Sequence, residues 1–322
     1  MKYKVLITRM LQKEGLKKLE KISDIIAPVN KLFFSREEMM TYAPCLDGII
    51  VSRSHIDADF VKKAKKLKVI SKFGVGYDTV DLKAVTNAGI ILTNLPETVT
   101  DVTAELVFGI MLSLTRRIVE ADHYLRKNQS DRWYQEALFM GHELKDKKIG
   151  FIGFGRVGQA TARRCIPFGM HVFYYDIEKK SDLSFNASYM PFEKLLKEMD
   201  YIILQAPYSK STHHLIGKEE FKKMKKSAYF INTARGAEID QKALIRALQK
   251  KEIAGAGLDV YENEPFIPGE LKLLDNVVLT PHLGTDTYET DLQMVKEAAD
   301  NVIQVLEGKI PKFTVNRRAL GF

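Results

Sequence analysis

Residues 148–164 read KIGFIGFGRVGQATARR, and this segment is the clearest guide to the fold in the chain. A strand-like apolar run leads directly into a G-x-G-x-x-G turn made by Gly153, Gly155 and Gly158, and a helical pattern follows it. The first glycine permits a tight turn, the second lets the backbone approach a pyrophosphate, and the third lets the helix pack closely on the strand. Unpaired N–H groups at the helix start attract the same anion, so the segment predicts a dinucleotide-binding loop, to which Arg156 adds positive charge.

Asp176 stands at the end of the next strand-like run. A carboxylate at this position accepts hydrogen bonds from the adenosine ribose and repels a 2′-phosphate, which favours NAD over NADP. Lys179 and Lys180 follow closely, and their charge leaves room for NADP. We therefore expect NAD as the cofactor and NADP as the less favoured alternative.

Short β-branched runs alternate with helical patterns on both sides of this loop. Four such runs occupy residues 5–7, 48–51, 68–71 and 90–92, and six more occupy residues 148–152, 171–175, 201–204, 228–231, 255–258 and 277–279. The alternation predicts an α/β fold with two domains, each a parallel sheet flanked by helices. Six strands complete a Rossmann-type dinucleotide-binding domain, which we place at residues 100–285. This larger domain is predicted to be inserted into a smaller substrate domain, formed by residues 1–99 and 286–322.

Residues 101–127 contain no proline, and their apolar side chains cover more than one face of a helix. A helix that is apolar nearly all round has to be buried on several sides. We therefore expect one helix over 101–127 that packs against its own domain and against a second subunit, giving a homodimer.

Composition excludes several other classes of protein. A chain of 322 residues that is 45% hydrophobic and 28% charged is neither disordered nor fibrous. The formal charge of +8 does not indicate nucleic-acid binding, because the lysines are scattered along amphipathic helix patterns. The first apolar run is too short for a signal peptide or a membrane span. Cys45 and Cys165 lack the spacing of a zinc site or a disulfide framework, so we expect a cytoplasmic protein without metal, nucleic-acid or membrane partners.

Three side chains that follow the later strands indicate a reaction. Arg235 comes after the strand that ends at residue 231, where parallel strands form a ligand-binding crevice, and a guanidinium can grip a carboxylate and polarise a carbonyl. His282 follows the last strand and is suited to protonate a ketone oxygen as hydride arrives. Glu264 supplies the carboxylate that orients the imidazole and favours its protonated form. Together they predict hydride transfer to a ketone that carries a carboxylate.

With these motifs, the chain resembles the D-isomer-specific 2-hydroxyacid dehydrogenases over nearly its whole length. Residues 73–81, FGVGYDTVD, look like the family's substrate loop, and residues 100–106, TDVTAEL, look like the start of its domain-crossing helix. The resemblance implies homodimers through the cofactor domain, a catalytic set of Arg235, Glu264 and His282, and substrate binding by Arg53, the backbone N–H groups of Val75 and Gly76, Arg235 and His282. It also implies a set of cofactor-binding residues: Thr103, Gly153, Gly155, Arg156, Val157, Gly158, Asp176, Pro207, Thr212, Thr233, Ala234, Asp259, His282 and Gly284.

Within that family, residues 99–105 resemble the glyoxylate/hydroxypyruvate reductase branch. We therefore expect a small 2-oxo acid, such as glyoxylate or hydroxypyruvate, to be reduced by NADH to the D-2-hydroxy acid. Arg53 lies where both this branch and the phosphoglycerate branch often carry a substrate-side arginine, so it does not separate them, and a phosphoglycerate dehydrogenase-like enzyme stays an alternative. A non-catalytic, NAD-sensing protein of the corepressor type is another, because those proteins keep the same fold. Formate dehydrogenases are similar in architecture, but their histidine is paired with a glutamine, so Glu264 argues against that branch.

Overall fold

The structure is a computed structural model that describes residues 2–127 and 137–322. The chain divides into two compact units, one formed by Met1–Val99 with Thr285–Phe322 and the other by Thr100–Gly284. Along the chain, the second unit is therefore an insertion into the first.

The first unit contains a five-stranded parallel sheet with the strand order β2-β1-β3-β4-β5. Helices cover both of its faces, and the apolar side chains of the strands form a separate core on each side. The strands are β1 (Tyr3–Ile7), β2 (Ser23–Ile26), β3 (Gly48–Val51), β4 (Val69–Lys72) and β5 (Ile91–Thr93), and the helices are α1 (Lys13–Ile22), α2 (Arg36–Tyr42), α3 (Ala58–Lys63), α4 (Leu82–Asn87) and α12 (Tyr288–Leu306).

The second unit contains a seven-stranded parallel sheet with the strand order β12-β11-β10-β9-β6-β7-β8. The order reverses beside β6, which is where ligands bind in open sheets of this kind. The strands are β6 (Lys148–Ile152), β7 (His171–Tyr175), β8 (Ser188–Tyr189), β9 (Tyr201–Leu204), β10 (Tyr229–Asn232), β11 (Gly255–Leu258) and β12 (Val277–Leu279). The helices are α5 (Thr100–Thr115), α6 (Ile118–Lys127), α7 (Arg156–Cys165), α8 (Phe192–Glu198), α9 (Lys218–Lys223), α10 (Gln241–Gln249) and α11 (Gly269–Lys272).

The predicted fold class, two parallel sheets flanked by helices, is confirmed. The sequence prediction omitted β2 and β8. β2 follows α1 without a turn residue between them and begins with two polar side chains, Ser23 and Asp24. β8 contains only two residues, which is too short for a period-2 pattern to be visible.

The single helix predicted over residues 101–127 is wrong, because α5 ends at Thr115 and α6 begins at Ile118. Arg117 has φ +54°, a left-handed conformation that interrupts a helix. The carbonyl of Thr115 accepts a hydrogen bond from the amide of His142 at 2.9 Å, instead of one from the next helical turn. Neither helix, nor any other in the described ranges, has the length and apolar character needed to cross a membrane.

Candidate active site

The glycine loop after β6 has the geometry of an anion cradle. Gly153 has φ +88°, and a Cβ at this position would lie 2.6 Å from the amide nitrogen of Ala206, so a side chain does not fit. Gly155 precedes α7 and provides no side chain to cap its first amide groups. Space around Gly155 is open, with no other described atom within 4 Å of an added Cβ, its chain neighbours aside. The loop therefore fits a pyrophosphate bound to the start of α7.

Asp176 lies directly against this loop. Its Oδ2 accepts a hydrogen bond from the Phe154 amide at 2.8 Å, its Oδ1 accepts one from the Glu178 amide at 3.2 Å, and the Nζ of Lys180 is 3.4 Å from Oδ2. Burial opposes ionisation, but these hydrogen bonds and the lysine outweigh it and hold the pKa of Asp176 below its ordinary value. The loop thus has an ionised carboxylate beside it, as a ribose site requires.

The turn after β10 fixes the backbone of Arg235. Asn232 spans the turn, because its side-chain oxygen accepts from the Ala234 amide and its side-chain nitrogen donates to the Arg235 carbonyl, both at 2.9 Å. The Arg235 amide donates to Oε2 of the buried Glu238 at 3.1 Å. Arg235 itself is partly buried, and Nη1 of its guanidinium donates to the carbonyl of Ala234 at 2.7 Å, which keeps the positive group beside its own turn.

Gly236 joins the Arg235 turn to the loop that carries Glu264. A Cβ on Gly236 would lie 1.9 Å from the carbonyl carbon of Tyr261 and 2.4 Å from the amide nitrogen of Glu262. The two backbones are therefore in direct contact, and only glycine permits this approach.

Glu264 and His282 form the pair that the sequence predicted. Oε2 of Glu264 lies 2.8 Å from Nδ1 of His282, and Oε1 accepts from the Tyr261 amide at 3.1 Å. Their side chains are 28% and 33% exposed, so a small ligand can reach them. His282 has φ +61°, a strained conformation for a residue with a side chain, and such strain persists where surrounding contacts impose it.

Asp259 supplies contacts that hold the segment around His282 in place. It is fully buried, its Oδ1 accepts from the Leu283 amide at 2.7 Å, and its Oδ2 accepts from the Gly284 amide at 2.9 Å. The hydroxyl of Thr280 donates to Oδ1 at 2.6 Å. Burial raises the pKa of Asp259, against the opposing effects of these donors and of His282. The carboxylate therefore anchors the residues on both sides of His282.

Tyr261 is a supporting residue that sequence reasoning missed. Its hydroxyl donates to the carbonyl of Thr280 at 2.9 Å, so it joins the Glu264 loop to the His282 loop. Burial, with the charges of Asp259 and Glu264, raises the pKa of Tyr261, so the hydroxyl keeps its proton and remains a donor. Its position between Asp259 and Glu264 in the sequence is the signal that could have identified it.

Further predicted cofactor residues also contact one another. The hydroxyl of Thr103, near the start of α5, donates to the Gly284 carbonyl at 3.0 Å. The hydroxyl of Thr212 donates to the Pro207 carbonyl at 3.0 Å in the loop after β9.

Three more predicted cofactor residues lie in the turn after β10 and at the start of α7, and the remaining predicted substrate residues lie in the first unit. Thr233 accepts a hydrogen bond from the side-chain amide of Gln205, whereas Arg156 and Val157 are the first residues of α7. The predicted substrate residues of the first unit lie in the loops after β3 and β4: Arg53, Val75 and Gly76. In the described part of the chain, no group of three or more His, Cys, Asp or Glu side chains is arranged to hold a metal ion.

Comparisons with known proteins identify relatives of the chain in sequence and in fold. The family model described as "D-isomer specific 2-hydroxyacid dehydrogenase, NAD binding domain" matches residues 108–284. A glyoxylate reductase from Thermococcus litoralis is 41% identical over 99% of this chain and 98% of its own length. The solved structure of protein TT0316 from Thermus thermophilus aligns with a TM-score of 0.90 and 37% identity, over 97% of this chain and 99% of that one. An NADPH-dependent glyoxylate/hydroxypyruvate reductase from Sinorhizobium meliloti, solved with NADP and malonate, aligns with a TM-score of 0.86 and 28% identity, over 98% and 97%.

Proposed function

The chain belongs to the D-isomer-specific 2-hydroxyacid dehydrogenases, and from this we propose that it reduces glyoxylate, hydroxypyruvate or a similar 2-oxo acid to the D-2-hydroxy acid. The His282–Glu264 pair, beside the Arg235 turn, is the observation that carries the proposal. The names of its relatives support the same substrates, because they include glyoxylate reductases at 36–41% identity over the full length.

Arg235 and His282 would contact different groups of the substrate. The guanidinium of Arg235 would bind the carboxylate and polarise the neighbouring carbonyl. Glu264 accepts at Nδ1 of His282, so Nε2, on the opposite edge of the ring, would give its proton to the carbonyl oxygen. When bound, the reduced nicotinamide supplies the hydride to C2.

The cofactor would be held by the glycine loop and Asp176. The open approach to the start of α7 supports binding of the pyrophosphate, and the ionised Asp176 supports NADH over NADPH. Thr103, Pro207, Thr212, Thr233, Ala234, Asp259 and Gly284 are proposed to surround the rest of the dinucleotide. Arg53, Val75 and Gly76 are proposed to bind the substrate.

We also infer a homodimer formed through α5 and α6. Ile118 and Leu125 of α6 are 52% and 53% exposed, and Phe168, at 48%, packs on Phe108 of α5. Ile118 and Leu125 are seven positions apart and therefore lie on one face of α6, and an apolar face left exposed favours a protein partner. Changing Ile118 and Leu125 together to Asp should convert a dimer into a monomer in light scattering. The matched double change of Val29 and Leu32 to Asp, at side chains that are 75% and 68% exposed in the first unit, should leave the dimer mass unchanged. A wild-type monomer would contradict the inference.

A panel of 2-oxo acids with NADH and NADPH tests the proposed reaction. We expect the highest kcat/KM with NADH and either glyoxylate or hydroxypyruvate, and lower values with 3-phosphohydroxypyruvate. A protein that binds NADH but oxidises it with none of these acids would contradict the proposal and favour a sensing role.

A further inference from the structure

A second histidine–carboxylate pair joins the loop that carries Glu264 to the loop after β9. Glu262 is two residues before Glu264, and its Oε1 lies 2.7 Å from Nε2 of His214. His214 comes from the loop after β9. We propose that His214 and Glu262 form a positioning pair that holds the Arg235 turn and the Glu264 loop in register for the reaction. This inference rests on the proposed function, since it assigns a role in the same site.

The contacts of His214 connect its loop to the Arg235 turn. Its backbone amide donates to the carbonyl of Ala237 at 3.0 Å, two residues after Arg235. The amide of Ile216 donates to the carbonyl of Glu238 at 3.1 Å, and Ile216 forms a parallel bridge with Ile239.

The contacts of Glu262 complete the connection. Its Oε2 accepts from the Gln241 amide at 3.4 Å, and its own amide donates to the side-chain oxygen of Gln241 at 3.3 Å. The same backbone touches Gly236, where a Cβ would overlap it. Three loops thus meet at the His214–Glu262 pair, next to two of the residues proposed to be catalytic.

The geometry favours positioning over proton donation. The Nε2 atom, which projects furthest from the backbone, is the one that meets Glu262, so it is not directed at a substrate. His214 also has φ +51°, a conformation that a residue with a side chain adopts at an energetic cost. The surrounding contacts impose that conformation and keep the imidazole against Glu262.

His213 offers a matched control. Its ring stacks on that of His214 with centroids 4.1 Å apart, and its Nδ1 lies 3.4 Å from the hydroxyl of Tyr208. Removing it deletes a neighbouring imidazole and leaves the hydrogen bond of His214 to Glu262 in place.

The test compares His214→Ala, Glu262→Ala, the double variant, Glu262→Gln and His213→Ala in the full chain. Each single Ala change in the pair should lower kcat about tenfold and leave the dissociation constant for NADH within about twofold, because a displaced catalytic group affects the chemical step most. The double variant should be no slower than either single variant. Glu262→Gln keeps an oxygen acceptor for the ring and loses only the long 3.4 Å bond from the Gln241 amide, so it should retain most of the rate.

Hydrogen exchange of the cofactor-free protein provides a readout independent of turnover. Peptides covering residues 258–266 should exchange faster in His214→Ala than in His213→Ala. An unchanged kcat in His214→Ala, an equal loss in His213→Ala, or additive losses in the double variant would overturn the inference. If the wild type itself turns over no 2-oxo acid, the proposed function fails, and unchanged exchange in His214→Ala would then overturn the positioning role separately.

Discussion

The loop formed by residues 260–265 carries two carboxylates, and each one bonds to a histidine from a different loop. Glu264 meets His282 at 2.8 Å, and Glu262 meets His214 at 2.7 Å. The exposed fractions are also similar, at 28% and 33% for the first pair and 24% and 38% for the second. Distance and exposure therefore do not distinguish the pair that we assign to proton transfer from the pair that we assign to positioning.

The two pairs differ in the ring nitrogen that bonds the carboxylate and in the contacts that support the histidine backbone. Glu264 bonds to Nδ1 of His282 and leaves Nε2 on the far edge, whereas Glu262 bonds to Nε2 of His214. The buried Asp259 anchors the residues after His282, whereas the backbone of His214 is held by the bond from its own amide to the carbonyl of Ala237. Two properties therefore decide the chemical role of a histidine–carboxylate pair. One is which ring nitrogen the carboxylate bonds, and the other is which contacts hold the backbone of the histidine.

The largest effect is expected from His282→Ala. Loss of the proton donor should lower kcat about 10³-fold, within the range that general acid catalysis provides. The affinity for NADH, measured by fluorescence titration, should stay within about twofold. A variant that keeps more than about a tenth of the rate would refute the proton-donor role.

Asp259→Asn should have the second-largest effect. The side-chain nitrogen of Asn cannot accept from the backbone amides that Asp259 now binds, so the segment around His282 should shift and kcat should fall about 10²-fold. A buried donor left without a partner costs about 1–3 kcal/mol, so the melting temperature should fall by several degrees. Calorimetry and steady-state kinetics check both results, and wild-type kinetics would show that Asp259 does not support His282.

Replacing each loop glutamate by Gln compares the two pairs directly. The negative charge of Glu264 lies against the ring that is proposed to donate the proton, and Gln removes that charge, so Glu264→Gln should lower kcat about tenfold. Glu262→Gln keeps a hydrogen-bond acceptor for a ring that donates no proton to the substrate, so it should lower kcat by less than about threefold. The comparison fails if the two changes lower kcat equally.

The smallest effect on turnover is expected from Asp176→Ser. Asp176 is a carboxylate without a histidine, held instead by backbone amides and Lys180. Its loss should raise the KM for NADH a few-fold and improve the use of NADPH, and kcat with NADH should change little. Kinetics with both cofactors provide the measurement, and an unchanged preference would count against its assigned role.

Much of the fold and the central pair were predictable because their signals are local. The G-x-G-x-x-G turn, Asp176 and His282 each follow a strand whose apolar pattern is visible in the sequence, and parallel strands bring such positions to one edge. Glu264 was assigned to His282 by its chemistry and by resemblance, and the structure places the two in contact.

Other features depend on partners that are distant in sequence. The break between α5 and α6 involves the bond from His142 to Thr115, which no periodicity in residues 101–127 reveals. The pairing of His214 with Glu262 joins residues 48 positions apart, and a solvent-facing histidine next to another histidine carries no signal of its own. The close contact at Gly236 is likewise set by the fold of a later loop.

Mass spectrometry of the product formed from NADH that carries deuterium at both C4 positions tests the central claim most directly. If Arg235, Glu264 and His282 act together on a 2-oxo acid beside the nicotinamide, glyoxylate should yield glycolate with deuterium at C2, and each NADH consumed should yield one glycolate. Consumption of NADH without deuterium in the product, or no consumption at all, would contradict the account.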